Sequence, residues 1–321
     1  MRLFLRAALG ALLLASGTLV SAQSYPSKSV RILVGYAPGG GTDIMARAIA
    51  LKLSESLGQQ FIIDNRPGAN ANLAADLAAK AAPDGYTLLM ISVSHAINKP
   101  LYRKLNYDLE RDFVPVIEVS SVPQFVVVTP SLPVKTLKDL IALAKSRPGE
   151  VTYASSGEGS PEQIAAELLK SMAGIDLIHV PYKGGSPAAI AVIAGEASVG
   201  FNTAPVAIPY IRNGRLRALA GTEPKRNPAL PDVPTVAESG LPGYAMTTWY
   251  GLIAPTGVPR EVINKLNAEI NRILKLPDVR ERFATLGADP VGGTAEQFGR
   301  YITSEVAKFA RLAKERHLTL E

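Results

Sequence analysis

Short β-branched runs alternate along the chain with longer stretches whose apolar residues recur every three or four positions, and small-residue turns separate them. This grammar predicts strands joined by helical crossovers, an α/β protein with a largely parallel sheet. The first half reads as a strand over 30–34, a helix over 43–57, a strand over 61–64, an alanine-rich helix over 73–82 and a strand over 86–91. Arg66-Pro67-Gly68 and Pro83-Asp84-Gly85 supply stops. A second half repeats the order. Thr136 and Asp139 form a capping box for a helix reaching about residue 147, and strands follow at 151–154, 177–180, 199–202 and 216–220. Ser160-Pro161 and Ser186-Pro187 open the intervening helices, because proline in the first position lacks an N–H that the helix would leave unpaired.

Two further strands lie outside the halves, at 125–128 and 247–254, the second holding the only tryptophan, Trp249. Helices follow over 259–276 and 278–286, and a long one is opened by Thr294 and Gln297. A chain that leaves one α/β unit, builds another and returns must cross twice, and these two strands are the natural crossings. Two α/β lobes joined by a two-strand hinge, with a ligand cleft between them, are therefore expected. Residues 23–123 with 246–321 form domain 1 and residues 124–245 form domain 2. No Ser/Gly-rich or charged linker interrupts this plan.

Composition narrows the chemistry. At 47% hydrophobic and 19% charged, the 321 residues are those of a folded chain with room for two domains. The absence of cysteine removes disulfides, thiolate zinc sites, iron–sulfur clusters and cysteine nucleophiles. His95, His179 and His317 are the only histidines, so a metal site built on clustered imidazoles is not expected. No cofactor is expected either. The formal charge of +6 hints at nucleic acid, but residues 1–22 have the form of a secretory signal: Arg2 and Arg6, an apolar stretch over 7–14, and the ending Val20-Ser21-Ala22. Cleavage after Ala22 leaves 32 basic against 28 acidic side chains, a formal +4 without a basic run, and no nucleic-acid partner is expected. The apolar stretch is shorter than the ~20 residues of a membrane span. No cysteine follows the cut to take a lipid. A monomer in a Gram-negative periplasm is the expected setting.

Loops at strand ends carry the remaining chemistry. Gly35-Tyr36-Ala37-Pro38-Gly39-Gly40-Gly41-Thr42-Asp43 joins the first strand to the first helix. Its glycines admit a ligand close to the backbone, and the helix offers unpaired N–H groups at the positive end of its dipole. Gly35, Gly40 and Thr42 fit a triphosphate-binding loop, but Gly41 stands where that loop needs lysine, so a carboxylate fits better. Ser155-Ser156-Gly157-Glu158-Gly159-Ser160 holds the equivalent place in the second half, and the two loops would face each other where open α/β sheets bind ligands. Lys183-Gly184, Asn202-Thr203 and Ser92-Val93-Ser94-His95 border the same cleft. Lys183 also reads as a solvated loop lysine, His95 as a cap of its own loop, and Asp43 as a partner for the helix dipole. No Gly-x-Ser-x-Gly elbow occurs, which leaves Asp43, His95 and Glu158 as the groups a hydrolase or lyase would use.

With these motifs the chain resembles the receptors of tripartite tricarboxylate transporters, the Bug-type periplasmic solute-binding proteins. The resemblance is carried by Tyr25-Pro26, by Pro38 through Asp43, by Asn65-Arg66-Pro67-Gly68-Ala69 and by Ala81-Ala82-Pro83-Asp84-Gly85-Tyr86-Thr87-Leu88. Asp112-Phe113, Val180 through Gly185, Leu230-Pro231-Asp232-Val233-Pro234-Thr235 and Trp249-Tyr250-Gly251-Leu252 extend it through essentially the whole mature chain. It implies a two-lobed, type II-like periplasmic-binding-protein fold that closes on a small carboxylate. It also implies delivery to a membrane permease with one large and one small integral subunit, with no bond made or broken. The ligand's carboxylate would lie between the loops 36–43 and 155–160, beside 92–95 and Asn202-Thr203. The chain departs from the family at Tyr36, often phenylalanine, and at Ala37, often proline. A sensor that presents its closed form to a membrane signalling partner would use the same cleft.

Overall fold

The computed structural model describes residues 25–316. The expected leader over 1–22, with its cut after Ala22, and His317 lie outside the described residues. In the first lobe β1 (Val30–Val34) feeds α1 (Gly41–Leu57), and β2 (Phe61–Asn65) leads through a 3-10 turn at Ala69–Ala71 into α2 (Asn72–Ala79). Next, β3 (Thr87–Ser92) runs directly into α3 (Val93–Leu101). A 16-residue strand, β4 (Phe113–Val128), carries the chain into the second lobe. That lobe contains α4 (Leu137–Ser146), β5 (Thr152–Ser155), α5 (Pro161–Ala173), β6 (Ile178–Pro181), α6 (Gly185–Ala194), β7 (Val199–Thr203), α7 (Ala204–Arg212) and β8 (Arg217–Gly221). The chain returns on β9 (Thr247–Pro255) and finishes with α8 (Arg260–Ile273), α9 (Pro277–Thr285), β10 (Asp289–Pro290) and α10 (Ala295–Arg316).

The strands follow the order β2-β1-β3-β9-β4-β7-β5-β6, with β8 and β10 also paired to β4. The βαβ strands are parallel, whereas β4 and β9 run antiparallel to their neighbours. β4 is the shared element: up to Pro123 it pairs with β9 and β10, and from Gln124 onward with β7 and β8. Only its end, residues 125–128, reads as strand in the sequence, because Pro115, Glu118 and Pro123 break the apolar run. A proline removes a ladder hydrogen bond, and Pro115 sits where the register with β9 shifts.

The sequence also hides two helices. α3 buries Val93, Ala96, Ile97 and Leu101, but its capping box uses His95 in place of glutamate and Pro100 sits in its last turn. α7 contains Pro205 and Pro209. The boxes at Thr136/Asp139 and Thr294/Gln297 form as expected. Ser186 does not cap α6, which begins one residue earlier, behind Gly184.

Each sheet face buries its own helices. On one side of the first lobe α1 and α8 pack through Met45, Ile49, Leu53, Leu266 and Ile270. On the other, α2, α3 and α10 contribute Ala74, Ile97, Phe298 and Phe309 to a core that continues into the second lobe at Val126, Tyr153 and Phe201. Trp249 anchors α10: its ring meets Phe298 edge-on at 5.7 Å, and its Nε1–H donates to Glu305 at 3.1 Å. Gly251 beside it leaves the room this packing needs, since a Cβ there would overlap the Phe298 ring and lie 2.9 Å from the Ile117 carbonyl oxygen. Gly251→Ala is expected to lower stability by about 1–3 kcal/mol, the usual cost of overpacking. A reduced denaturant midpoint at unchanged slope would show it.

Candidate functional site

The two lobes converge where α1 begins. Gly40 precedes the helix in extended conformation, and Ile44 N–H closes the first helical bond on the Gly40 carbonyl at 2.9 Å. The N–H groups of Gly41, Thr42 and Asp43 consequently have no partner within the helix. Gly41 and Thr42 belong to the first helical turn, not to the loop. They line a cavity of about 20 Å³ with Tyr36, Gly40, Ser92 and Ser94 of the first lobe and Ser156 and Thr203 of the second. These are eight of the expected site residues. The cavity also takes in Pro161, Glu162, Gly185, Thr248 and Tyr250, which sequence reasoning missed. Gly41 makes the convergence possible: a Cβ there would overlap the Tyr250 hydroxyl and lie 2.7 Å from Thr203 Oγ1.

Hydroxyls and amides organise the first-lobe wall. The Tyr36 hydroxyl hydrogen-bonds Asn70 Oδ1 at 2.8 Å and Ser94 Oγ at 2.6 Å. An amide oxygen only accepts, so the single phenol proton points to Asn70 and Ser94 donates in return. Burial pushes the Tyr36 phenol far above its ordinary range and keeps it neutral. Asn70 donates to Asn98 Oδ1 at 2.8 Å, and its carbonyl accepts from Asn98 Nδ2 at 2.9 Å. These bonds hold a turn in which Ala69, Asn70 and Ala71 have φ of 45°, 47° and 72°. Such conformations cost non-glycine residues energy unless the surroundings impose them.

The other nine expected residues lie off the cavity. The Asp43 carboxylate accepts from Gly39 N–H, Arg47 Nε and Asn65 Nδ2, each at 2.9 Å. Burial opposes its ionisation, but these donors hold it below the usual carboxylate range. Asp43 and Gly39 thus pin the glycine turn. Ser155 Oγ sits 2.6 Å from His179 Nε2 and donates to the Gly157 carbonyl at 3.0 Å, inside the second lobe. Ser156, one residue past the end of β5, takes the cavity position instead. Ser160 caps α5, accepting from Gln163 N–H at 3.3 Å. Asn202 is buried and donates to the Gly185 carbonyl at 3.4 Å.

Gly157 and the exposed Lys183 line an outer space of about 270 Å³ that shares Tyr36 and Ser156 with the inner cavity. Beside it the lobes touch: Ala37 N–H donates to the Lys183 carbonyl at 3.3 Å, and a Cβ on Gly184 would lie 3.1 Å from Ala37 N. His95 is fully buried in its capping box. Asp43 and His95 line neither space, and Glu158 borders only the outer one. Among the described residues no group of three or more acids or histidines could hold a metal.

A family model described as the tripartite tricarboxylate transporter family receptor matches residues 45–318. The chain belongs to this receptor family. BugT of Bordetella pertussis is 38% identical over 298 residues, 92% of this chain and 91% of its own. The R. palustris protein Rpa4515, solved with adipate, superposes with a TM-score of 0.89 at 38% identity, covering 92% of this chain and 99% of that one. MatC from Rhodopseudomonas palustris, with bound malate, has a TM-score of 0.85 at 33% identity, over 89% of this chain and 99% of its own. The fold is the two-lobed α/β periplasmic-binding-protein fold of these solute-binding receptors. No helix among the described residues is long and apolar enough to cross a membrane.

His95 gives the site a measurable signature. Burial pushes its imidazole down to about 4, against the hydrogen bond to the Ser92 backbone. The unfolded imidazole takes up its proton near pH 6.5, so the stability from keeping His95 neutral is complete above that pH. It is lost as pH falls toward 4, by up to about 3 kcal/mol. His95→Gln preserves a capping acceptor without titrating. Chemical denaturation across this window is expected to show a shallower loss for the variant.

Proposed function

We propose that the chain captures a small organic acid between its lobes, with a carboxylate at the N-terminus of α1, and hands it to a membrane permease. The inner cavity carries this reading. Both lobes build it, its walls present hydroxyls and unpaired N–H groups, and among the described residues no lysine or arginine lines it. Preorganised neutral donors at a helix start can hold an anion without a cation. The adipate and malate bound by the two R. palustris relatives support the ligand class. A space of about 20 Å³ holds roughly one water, so such acids enter only when the lobes part.

The lobes are assigned as residues 23–123 with 246–321, and 124–245. The hinge lies where Gln124 N–H donates to Thr222 Oγ1 at 2.9 Å, Thr222 Oγ1–H donates to the Met246 carbonyl at 2.7 Å, and Gln124 Nε2 donates to Thr248 Oγ1 at 3.1 Å. A ligand bonded to both walls favours the shut state, which a permease of one large and one small integral subunit would read from outside. Residues 1–22 would direct export to the periplasm. The ligand leaves chemically unchanged.

Calorimetric titration with adipate and malate tests the reading. Thr42→Ala is expected to cost about 0.5–3 kcal/mol of binding, the range for hydrogen bonds to a charged partner. Gly41→Ala should weaken binding at least tenfold, because its methyl displaces Tyr250 and Thr203 from the shut cavity. Unchanged affinity in both variants, or recovery of altered acids, would sink the proposal.

A further inference from the structure

Glu162 is 5% exposed, lies in the first turn of α5 and lines the inner cavity. Its Oε2 accepts from Ser156 Oγ at 2.6 Å, and its Oε1 faces the start of α6, where a Cβ on Gly185 would lie 3.9 Å away. The neighbouring walls are uncharged: Tyr36 and Tyr250 are phenols held neutral by burial, and Ser92, Ser94, Thr203 and Thr248 carry hydroxyls. Glu162 is thus the only charged side chain lining the cavity among the described residues, and no ion pair of its own is present there.

We infer that Glu162 makes this receptor select acids that carry a cationic amino group as well as the carboxylate, over dicarboxylates of matched length. The inference rests on the carboxylate reading above. With one carboxylate at α1, a dicarboxylate brings its second into a space that already holds a buried carboxyl, and two such groups at close range do not both ionise without a large cost. An ammonium in that position meets a buried acceptor and forms a charge-assisted hydrogen bond. Burial already pushes the Glu162 carboxyl up, partly offset by the Ser156 hydroxyl, so a dicarboxylate binds best when Glu162 takes up a proton and an amino acid when it does not. The two ligand classes therefore respond to pH in opposite directions.

The test is calorimetric titration of the full receptor with three matched pairs: succinate and 4-aminobutanoate, glutarate and 5-aminopentanoate, adipate and 6-aminohexanoate. At the best-fitting length and pH 8, the amino acid should bind at least tenfold tighter than the dicarboxylate. Glu162→Gln, which keeps an acceptor for Ser156, should erase that preference. Lowering the pH to 5.5 should narrow the wild-type ratio, a readout independent of how the variant folds. A wild-type preference for the dicarboxylates, a preference that Glu162→Gln leaves intact, or a ratio unmoved by pH overturns the inference and leaves a carboxylate receptor standing. Failure of all six acids to bind overturns both.

Discussion

At the first residue of α1, a helix N-terminus, the Tyr250 hydroxyl and Thr203 Oγ1 share a space that one methyl group would fill. The rest of the site is built around that approach. A helix start demands partners for its free N–H groups, and a bare backbone at Gly41 lets β9 and β7 close over them with hydroxyls. Outside the cavity Asp43 locks the same turn, joining Gly39 N–H and Arg47 to Asn65, whose Nδ2 also donates to the Tyr36 carbonyl at 3.0 Å. The acidic residue nearest the helix start is therefore engaged in holding the loop's shape, and the dipole end stays open toward the cavity.

The same division explains what could be read from the chain. Local signals were legible: the glycine turn before α1, the capping boxes, and the alternation of strand and helix. Side-chain direction at the strand end was not. Ser155, the last residue of β5, faces His179 and Ser156, past the strand, faces the cavity, and no composition rule separates the two. Tyr250 lies in a strand whose apolar run announces burial without naming what it is buried against, a partner more than 200 residues away in sequence at Gly41. Ser92 to His95 looked like a loop because imidazole is an unusual third residue for a capping box. β4 was fragmented by its own prolines, so the crossing was legible but its length was not.

Glu162 was hidden for a different reason. An acid in the first turn of a helix is already explained by the dipole, so its sequence position raises no question. Its burial does, because an acid removed from water without a cation destabilises the fold. Ser156 and the α5 N-terminus recover part of that cost. A residue that works against stability and faces a cavity shared by two lobes is best understood through what enters the cavity.

Closure sharpens this point. Across the gap the lobes are joined by contacts such as Ala37 N–H to the Lys183 carbonyl at 3.3 Å and the Tyr102 hydroxyl to the Glu158 carbonyl at 3.5 Å, both longer than the usual hydrogen-bond range. Contacts of this kind contribute about 1 kcal/mol or less each. A second contact zone, where Asn227 Nδ2 donates to the Gly287 carbonyl at 3.1 Å and Arg212 to the Thr285 carbonyl at 3.3 Å, is equally modest. On the proposed reading a ligand moves the balance between open and shut forms by the contacts it makes in the shut form alone. A carboxylate at the start of α1 would meet the N–H groups of the first lobe and, across Gly41, Thr203 of the second. Ser156 and Glu162 also belong to the second lobe, so the ligand's other end would add to the closing. On that reading, the chemical group that suits Glu162 would bear both on which acid is chosen and on whether the receptor shuts on it.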